Sequence, residues 1–136
     1  MDAIIRTADA ADLPFLAEHD RHIALSELDN TLRLGRVLIL ECDGKPAGWL
    51  RWSLFWDNTP FMNLLYLLDE YRLQGYGRAL VSFWEHSMAD AGYRLLMTST
   101  QANEPAQLFY RHLGYRDIGG FLLPGEPYEL LLIREL

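Results

Sequence analysis

The stretch YRLQGYGRAL, residues 71 to 80, follows the apolar run FMNLLYLL and sets Gly75 and Gly77 one residue apart, between Arg72 and Arg78. Residues of these types at this spacing can hold an anion. A helix starting here presents unpaired backbone N–H groups and the positive end of its macrodipole. Glycine removes the Cβ that would block a phosphate's approach, and the arginines add charge-assisted hydrogen bonds. The pattern is neither G-x-x-x-x-G-K-[ST] nor G-x-G-x-x-G, which makes ATP and NAD poor candidates. A plain strand-to-helix turn with solvated arginines would use the same residues, so a second signal has to decide.

The next candidates lie in NEPAQLFYRHLGY, residues 103 to 115. Asn103 can cap a helix, Pro105 suits a first turn, and Gly114 suits the end. Ala106, Phe109, Tyr110 and Leu113 fall on one face. Taken alone, Asn103 is an N-cap and Tyr110 packs beside Phe109. His19, His22, His86 and His112 are scattered without ligand spacing, and no metal is expected. Cys42 is the only cysteine, which excludes an internal disulfide and leaves it as a small hydrophobe in a strand.

Elements to position these residues can be read along the chain. Ile4 to Arg6 is a short strand, followed by helical text from Asp12 to Leu34, where Asp9 or Asp12 caps, Pro14 fits the first turn, and a break near Asp20 to His22 makes two helices. Val37 to Cys42 and Pro46 to Trp56 form a hairpin about Asp43-Gly44, a type I′ turn. After the turn DNTP, Phe61 to Leu68 is a third strand of an antiparallel meander. From Arg78, Leu80, Val81, Trp84, Met88 and Ala91 recur at helical spacing, and Gly92 closes that helix. Strands follow at Arg94 to Thr100, Tyr115 to Phe121 and Tyr128 to Glu135, completing a mixed α/β sheet with helices packed on it.

The 136 residues, half of them hydrophobic, suffice for one compact core, and no repeat or Pro/Gly/Ser linker divides them; one domain, 1 to 136, is expected. Nineteen acidic residues against 12 basic give a net charge of −7, which disfavours nucleic acid and anionic membrane and suits a cationic small substrate. Every basic residue but Lys45 is an arginine, suited to phosphate and carboxylate. The start MDAIIRTADA lacks the layout of a signal peptide, and FMNLLYLL is too short to span a bilayer, so a soluble cytoplasmic protein is expected.

The second signal is the pairing of R-x-x-G-x-G (Arg72, Gly75, Gly77) with N-x-x-A-x-x-x-Y-x-x-x-G-Y (Asn103, Ala106, Tyr110, Gly114, Tyr115). Together they resemble the GNAT superfamily of acyl-CoA N-acyltransferases. The resemblance covers the whole chain in element order and is most specific over 61 to 115. It implies a mixed, mostly antiparallel sheet of about seven strands flanked by about four helices, splayed between the fourth and fifth strands, where the pantetheine arm of acetyl-CoA would lie. It further implies that the backbone of Leu65 and Leu67 bonds that arm. The amides of Arg72, Leu73, Gln74, Gly75, Tyr76, Gly77 and Arg78 would hold the pyrophosphate, and Asn103 would steady the pantetheine. Many members carry glycine where this chain has Leu73, so the first amide of the cradle is presented less freely here.

The function implied is acetyl-CoA-dependent N-acetyl transfer to a primary amine, small-molecule or peptide, directly within a ternary complex. Such a reaction needs a neutral nucleophile, a stabilised oxyanion and a proton for the departing thiolate. By the resemblance Tyr110 supplies the proton, its phenol at pKa ~10 facing a thiol at ~8.5, and the N–H near Leu67, exposed where the strand bulges, stabilises the oxyanion. The meander offers Asn63 and no carboxylate as base; Glu129, Asp57, His22, a water relay or an already neutral amine remain open. Leu50, Trp52, Leu54 and Trp56 share one strand face, read first as core and second as lining for an ammonium. The rival class is a non-catalytic acyl-CoA sensor or interaction module on the same fold. Homodimers are frequent in the superfamily.

Overall fold

The computed structural model describes residues 2–136. Among them, strands β1 (Ala3–Thr7), β2 (Val37–Cys42), β3 (Lys45–Phe55), β4 (Thr59–Leu67), β5 (Leu95–Gln101), β6 (Arg116–Phe121) and β7 (Glu129–Glu135) form one sheet in the order β1-β2-β3-β4-β5-β7-β6. Helices α1 (Leu13–His19), α2 (Leu25–Arg33), α3 (Tyr76–Asp90) and α4 (Ala106–His112) complete the chain. β4 and β5 run parallel, whereas β1–β2, β2–β3, β5–β7 and β6–β7 are antiparallel. The expected mixed, mostly antiparallel sheet is therefore observed. The chain makes two compact units, Met1–Ser53 with Leu64–Trp84, and Leu54–Asn63 with Glu85–Leu136.

In the first unit, Asp43 and Gly44 have φ of 52° and 79°, the two left-handed residues that a type I′ hairpin turn needs. The 3-10 turn Ala10–Asp12 is closed by a reciprocal cap: Asp9 accepts from the Ala11 amide and Asp12 accepts from the Asp9 amide. Arg6 binds both Asp12 oxygens at 2.7 Å and also Glu41, tying β1 to that turn and to β2. These partners hold the Asp12 carboxyl below the usual carboxylate range. Leu16, Leu28, Leu32, Val37, Ile39 and Trp49 form a buried cluster. Removing each such side chain from water is worth about 1.5–3 kcal/mol.

Polar groups are buried here as well. Asp20, 4% exposed, accepts from Arg51 Nε at 2.8 Å and from Trp49 Nε1 at 3.1 Å, while the His22 amide donates to its other oxygen at 3.2 Å. The carboxylate that interrupts the helical text between α1 and α2 is thus the anchor of β3. Cys42 is buried in β2, as expected of a small hydrophobe.

The second unit is built on β5, paired with β7 along its whole length from Leu95↔Glu135 to Gln101↔Glu129. Met62, Met88, Leu96, Met97, Tyr110, Tyr115 and Leu132 form its buried interior. Phe55 stacks on Phe61 at 6.2 Å. Gly120 in β6 lies against the Glu129 carbonyl and the Tyr128 ring, where a Cβ would collide with both.

Three sequence expectations are corrected. Trp56 does not share the face of Leu50 and Trp52: it sits at φ 53° in the turn after β3 and is 80% exposed, whereas Leu50 and Trp52 are buried. Strand alternation stops where the chain enters the left-handed region. Ala91 lies past the end of α3 and is exposed. Asn103 does not cap α4. Residues 102 to 105 form turns, Pro105 occupies the N-cap position, and the Gln107 side chain serves the carbonyls of Ala102 and Glu104.

Candidate active site

The glycine turn lies wholly in the first unit. β4 ends at Leu67, a 3-10 turn spans Asp69–Tyr71, and α3 opens at Tyr76. Two residues between them are left-handed, Leu73 at φ 60° and Gly75 at φ 88°. At Gly75 that geometry is free of cost, and a Cβ built there would meet nothing within 4 Å, so open space lies over the backbone. The first α3 bond runs from the Ala79 amide to the Gly75 carbonyl at 3.1 Å, leaving the amides of Gly77 and Arg78 among those the helix does not itself use. The residues present fit a phosphate group on this observation. Leu73, which stands at a position where the resemblance leads one to expect glycine, adopts the glycine-like conformation nonetheless and is fully exposed.

Arg72 does not point into the turn. Its Nε donates to the Leu67 carbonyl at 3.0 Å, its Nη1 lies 3.3 Å from Asp69, and its guanidinium sits 5.0 Å from the centre of the Tyr66 ring. The Gln74 side chain is likewise engaged, donating to the Glu70 carbonyl at 2.9 Å. Arg78 is exposed at the head of α3. Leu65 and Leu67 are half-buried in the last residues of β4.

One residue that the sequence reading missed governs this segment. A Cβ at Gly48 would come within 2.5 Å of Leu67 Cδ2 and 2.7 Å of the Tyr66 carbonyl. The Leu68 amide donates to the Ala47 carbonyl at 2.9 Å. An isolated glycine inside a strand marks such a close approach, and that signal was present in KPAGWLRW.

Tyr110 and Asn103 lie in the second unit. Tyr110 is 7% exposed, with its hydroxyl directed at the Met62 sulfur, 3.9 Å away. Burial pushes its phenol up to about 12, partly opposed by the Thr98 hydroxyl. Thr98 itself donates to the Met62 carbonyl at 3.0 Å. The phenol is therefore protonated throughout the neutral range and is not committed to a strong acceptor. Asn103 is exposed in the turn before α4. Of the residues considered as bases, Glu129 is half-buried at the start of β7, Asp57 is exposed at φ 63° in the turn after β3, and His22 is exposed in the first unit. His19 stacks on Phe15 at 4.3 Å, a packing role.

Among the described residues, no cluster of three or more His, Cys, Asp or Glu could hold a metal ion, and no helix is long and apolar enough to cross a membrane. Residues 4–115 match the acetyltransferase (GNAT) family. No curated protein matches the sequence. Among solved structures, Ard1 from Thermoplasma volcanium superposes with a TM-score of 0.87 at 13% identity, over 100% of this chain and 99% of that one. The ribosomal-protein-S18-alanine N-acetyltransferase of Escherichia coli gives 0.82 at 17%, over 98% and 94%. PaiA N-acetyltransferase of Thermoplasma acidophilum, solved with coenzyme A, gives 0.74 at 16%, over the whole of both chains.

Proposed function

The chain belongs to the GNAT family of acetyltransferases, and on that premise we propose that it moves an acetyl group from acetyl-CoA to a primary amine by direct transfer in a ternary complex. The observation that carries the reading is Gly75: a left-handed glycine with open space above its backbone, immediately before a 15-residue helix. Amides from Arg72 to Arg78 would hold the pyrophosphate with the helix dipole behind them. The backbone of Leu65 and Leu67 would bond the pantetheine, and Asn103 would steady it. Arg72 donates to the Leu67 carbonyl, whose second lone pair would accept from the pantetheine amide.

In the chemical step the amine nitrogen bonds to the acetyl carbon and the carbon–sulfur bond breaks. The Leu67 N–H would stabilise the oxyanion. Tyr110 would give its proton to the thiolate, and the amine's proton would pass to water or to one of Glu129, Asp57 and His22. A buried phenol at about 12 is a weaker acid than a free one. The burial that raises it would also raise a thiol beside it, so the gap between them depends on shared surroundings rather than solution values.

Calorimetric titration with acetyl-CoA, with ATP and NAD as controls, tests the cradle, and turnover with a panel of amines, read as free thiol, tests the transfer. Selective acetyl-CoA binding and thiol release are expected. Gly75→Val should abolish the binding, because its side chain would fill the open space; unchanged affinity in that variant contradicts the cradle. Binding without thiol release from any amine would favour an acyl-CoA sensor.

A further inference from the structure

The hydroxyl of Tyr110 faces the Met62 thioether at 3.9 Å, a weak acceptor, and the Thr98 hydroxyl, whose own proton goes to the Met62 carbonyl. Its position depends as well on what holds the ring. α4 ends in a Schellman closure: the Tyr115 amide donates to the Tyr110 carbonyl and the Gly114 amide to the Arg111 carbonyl, both at 3.0 Å, with Gly114 at φ 97°. That closure brings Tyr115 back against Tyr110, their ring centres 5.7 Å apart and 65° inclined, edge to face. A contact of this kind accompanies many helix ends and by itself signals nothing more.

What lies behind Tyr115 is less ordinary. Tyr115 is 3% exposed, and its hydroxyl donates to Glu85 Oε2 at 2.9 Å; the other oxygen of Glu85 takes Arg134 Nη1 at 2.8 Å. The three residues come from α3, the segment just after α4 and β7, the first pair 30 positions apart in sequence and the second 49. A buried carboxylate with both oxygens used resists displacement, because moving it strands a charge. It pins the far edge of the Tyr115 ring, and Tyr115 in turn is the wall against which Tyr110 rests.

We propose that Glu85, held by Arg134, is a positioning residue for the transfer reaction, acting through Tyr115 to aim the Tyr110 hydroxyl. This inference rests on the reading of Tyr110 as proton donor. Of these three residues only Tyr110 meets the reacting atoms; Tyr115 and Glu85 act one and two steps behind it. Displacements of about 1 Å at a reacting group can cost a hundredfold in rate, so a ring held on one edge by an ion-paired carboxylate matters to turnover and not to the binding of acetyl-CoA.

The test is a set of four variants, Tyr115→Phe, Glu85→Gln, Tyr110→Phe and the double variant Tyr110→Phe/Tyr115→Phe, assayed with acetyl-CoA and the best amine of the panel. Tyr115→Phe keeps the ring and the helix closure and loses one oxygen, so it carries the test if Glu85→Gln fails to fold. Tyr115→Phe is expected to lower kcat about tenfold with the KM for acetyl-CoA unchanged, and to add nothing in the Tyr110→Phe background. Full kcat in Tyr115→Phe, or losses that multiply in the double variant, would overturn the link while leaving Tyr110 in place as donor. Full turnover in Tyr110→Phe would instead remove the donor itself, and the link with it. A readout needing no acceptor is the ring-flip rate of Tyr110, followed by NMR with ring-labelled tyrosine. It should rise severalfold in Tyr115→Phe, and an unchanged rate overturns the proposal.

Discussion

Gly48 lies so close beneath Leu67 that a methyl group at position 48 would reach within 2.5 Å of the leucine side chain and 3.3 Å of its Cα, with the Tyr66 carbonyl at 2.7 Å. Two of those atoms are backbone and cannot swing aside, so an alanine there has to move β4. Gly48→Ala should cost about 1–3 kcal/mol in unfolding free energy. If the Leu67 amide serves the oxyanion, kcat should fall at least tenfold, or roughly 1.4 kcal/mol in the barrier, while stability is still ample. Urea denaturation and steady-state kinetics on the same preparation check both; a stable variant at full kcat would remove Leu67 from the chemistry.

Leu73 pays for its shape in the backbone alone. A left-handed φ of 60° costs a branched residue about 1–2 kcal/mol, and glycine would relieve it while losing about 0.4–1 kcal/mol through its more flexible unfolded state. Leu73→Gly should therefore raise stability by up to about 1.6 kcal/mol and leave acetyl-CoA affinity equal or tighter. A thermal melt that drops by several degrees, or weakened binding, would show that the exposed leucine has a role of its own.

Tyr110→Phe should lower kcat about 10²- to 10⁴-fold with little change in acetyl-CoA affinity. Wild-type activity should show no alkaline fall from this group below pH ~10, since the folded phenol titrates near 12 and the unfolded one near ~10. The sign for stability follows: its contribution is complete below the unfolded value and is lost as pH rises through about 12. Tyr115, raised by burial and by Glu85, fails in the same direction. Alkaline unfolding should accordingly begin later in Tyr110→Phe than in wild type, and an identical onset would contradict the buried phenol.

Most of the fold could be read from local patterns. The hairpin at Asp43-Gly44, the glycine turn and the helix ends at Gly92 and Gly114 each depend on residues within a few positions of one another, and each stands where expected. Asn103 misled because a good capping residue is only a local preference, and Pro105 with Gln107 started the helix later. Glu85 with Tyr115, and Asp20 with Arg51, were invisible for a different reason. Each pair is some thirty residues apart, and a charged side chain in a row of letters reads as solvated until the fold shows it buried. Gly48 sat between the two cases: its strand was plain, but what approached it was not.

Asp20→Ala should be among the most destabilising substitutions in the first unit. It leaves Arg51, 7% exposed, with an unpaired buried charge and Trp49 Nε1 without its acceptor. Breaking one partner of such a pair costs about 3–5 kcal/mol, which chemical denaturation would register directly. A loss under 1 kcal/mol would mean that water reaches Arg51 and replaces the carboxylate.

The burial of Cys42, 1% exposed and the only sulfhydryl in the chain, bears on the handling of the protein. If acetyl-CoA is the cosubstrate, its spent form is a free thiol that makes mixed disulfides with accessible cysteines, and here that reaction has no foothold while the fold holds. In a colorimetric thiol assay the native protein alone should add nothing to the baseline, and a slow rise in protein kept without acetyl-CoA would be an early sign of unfolding.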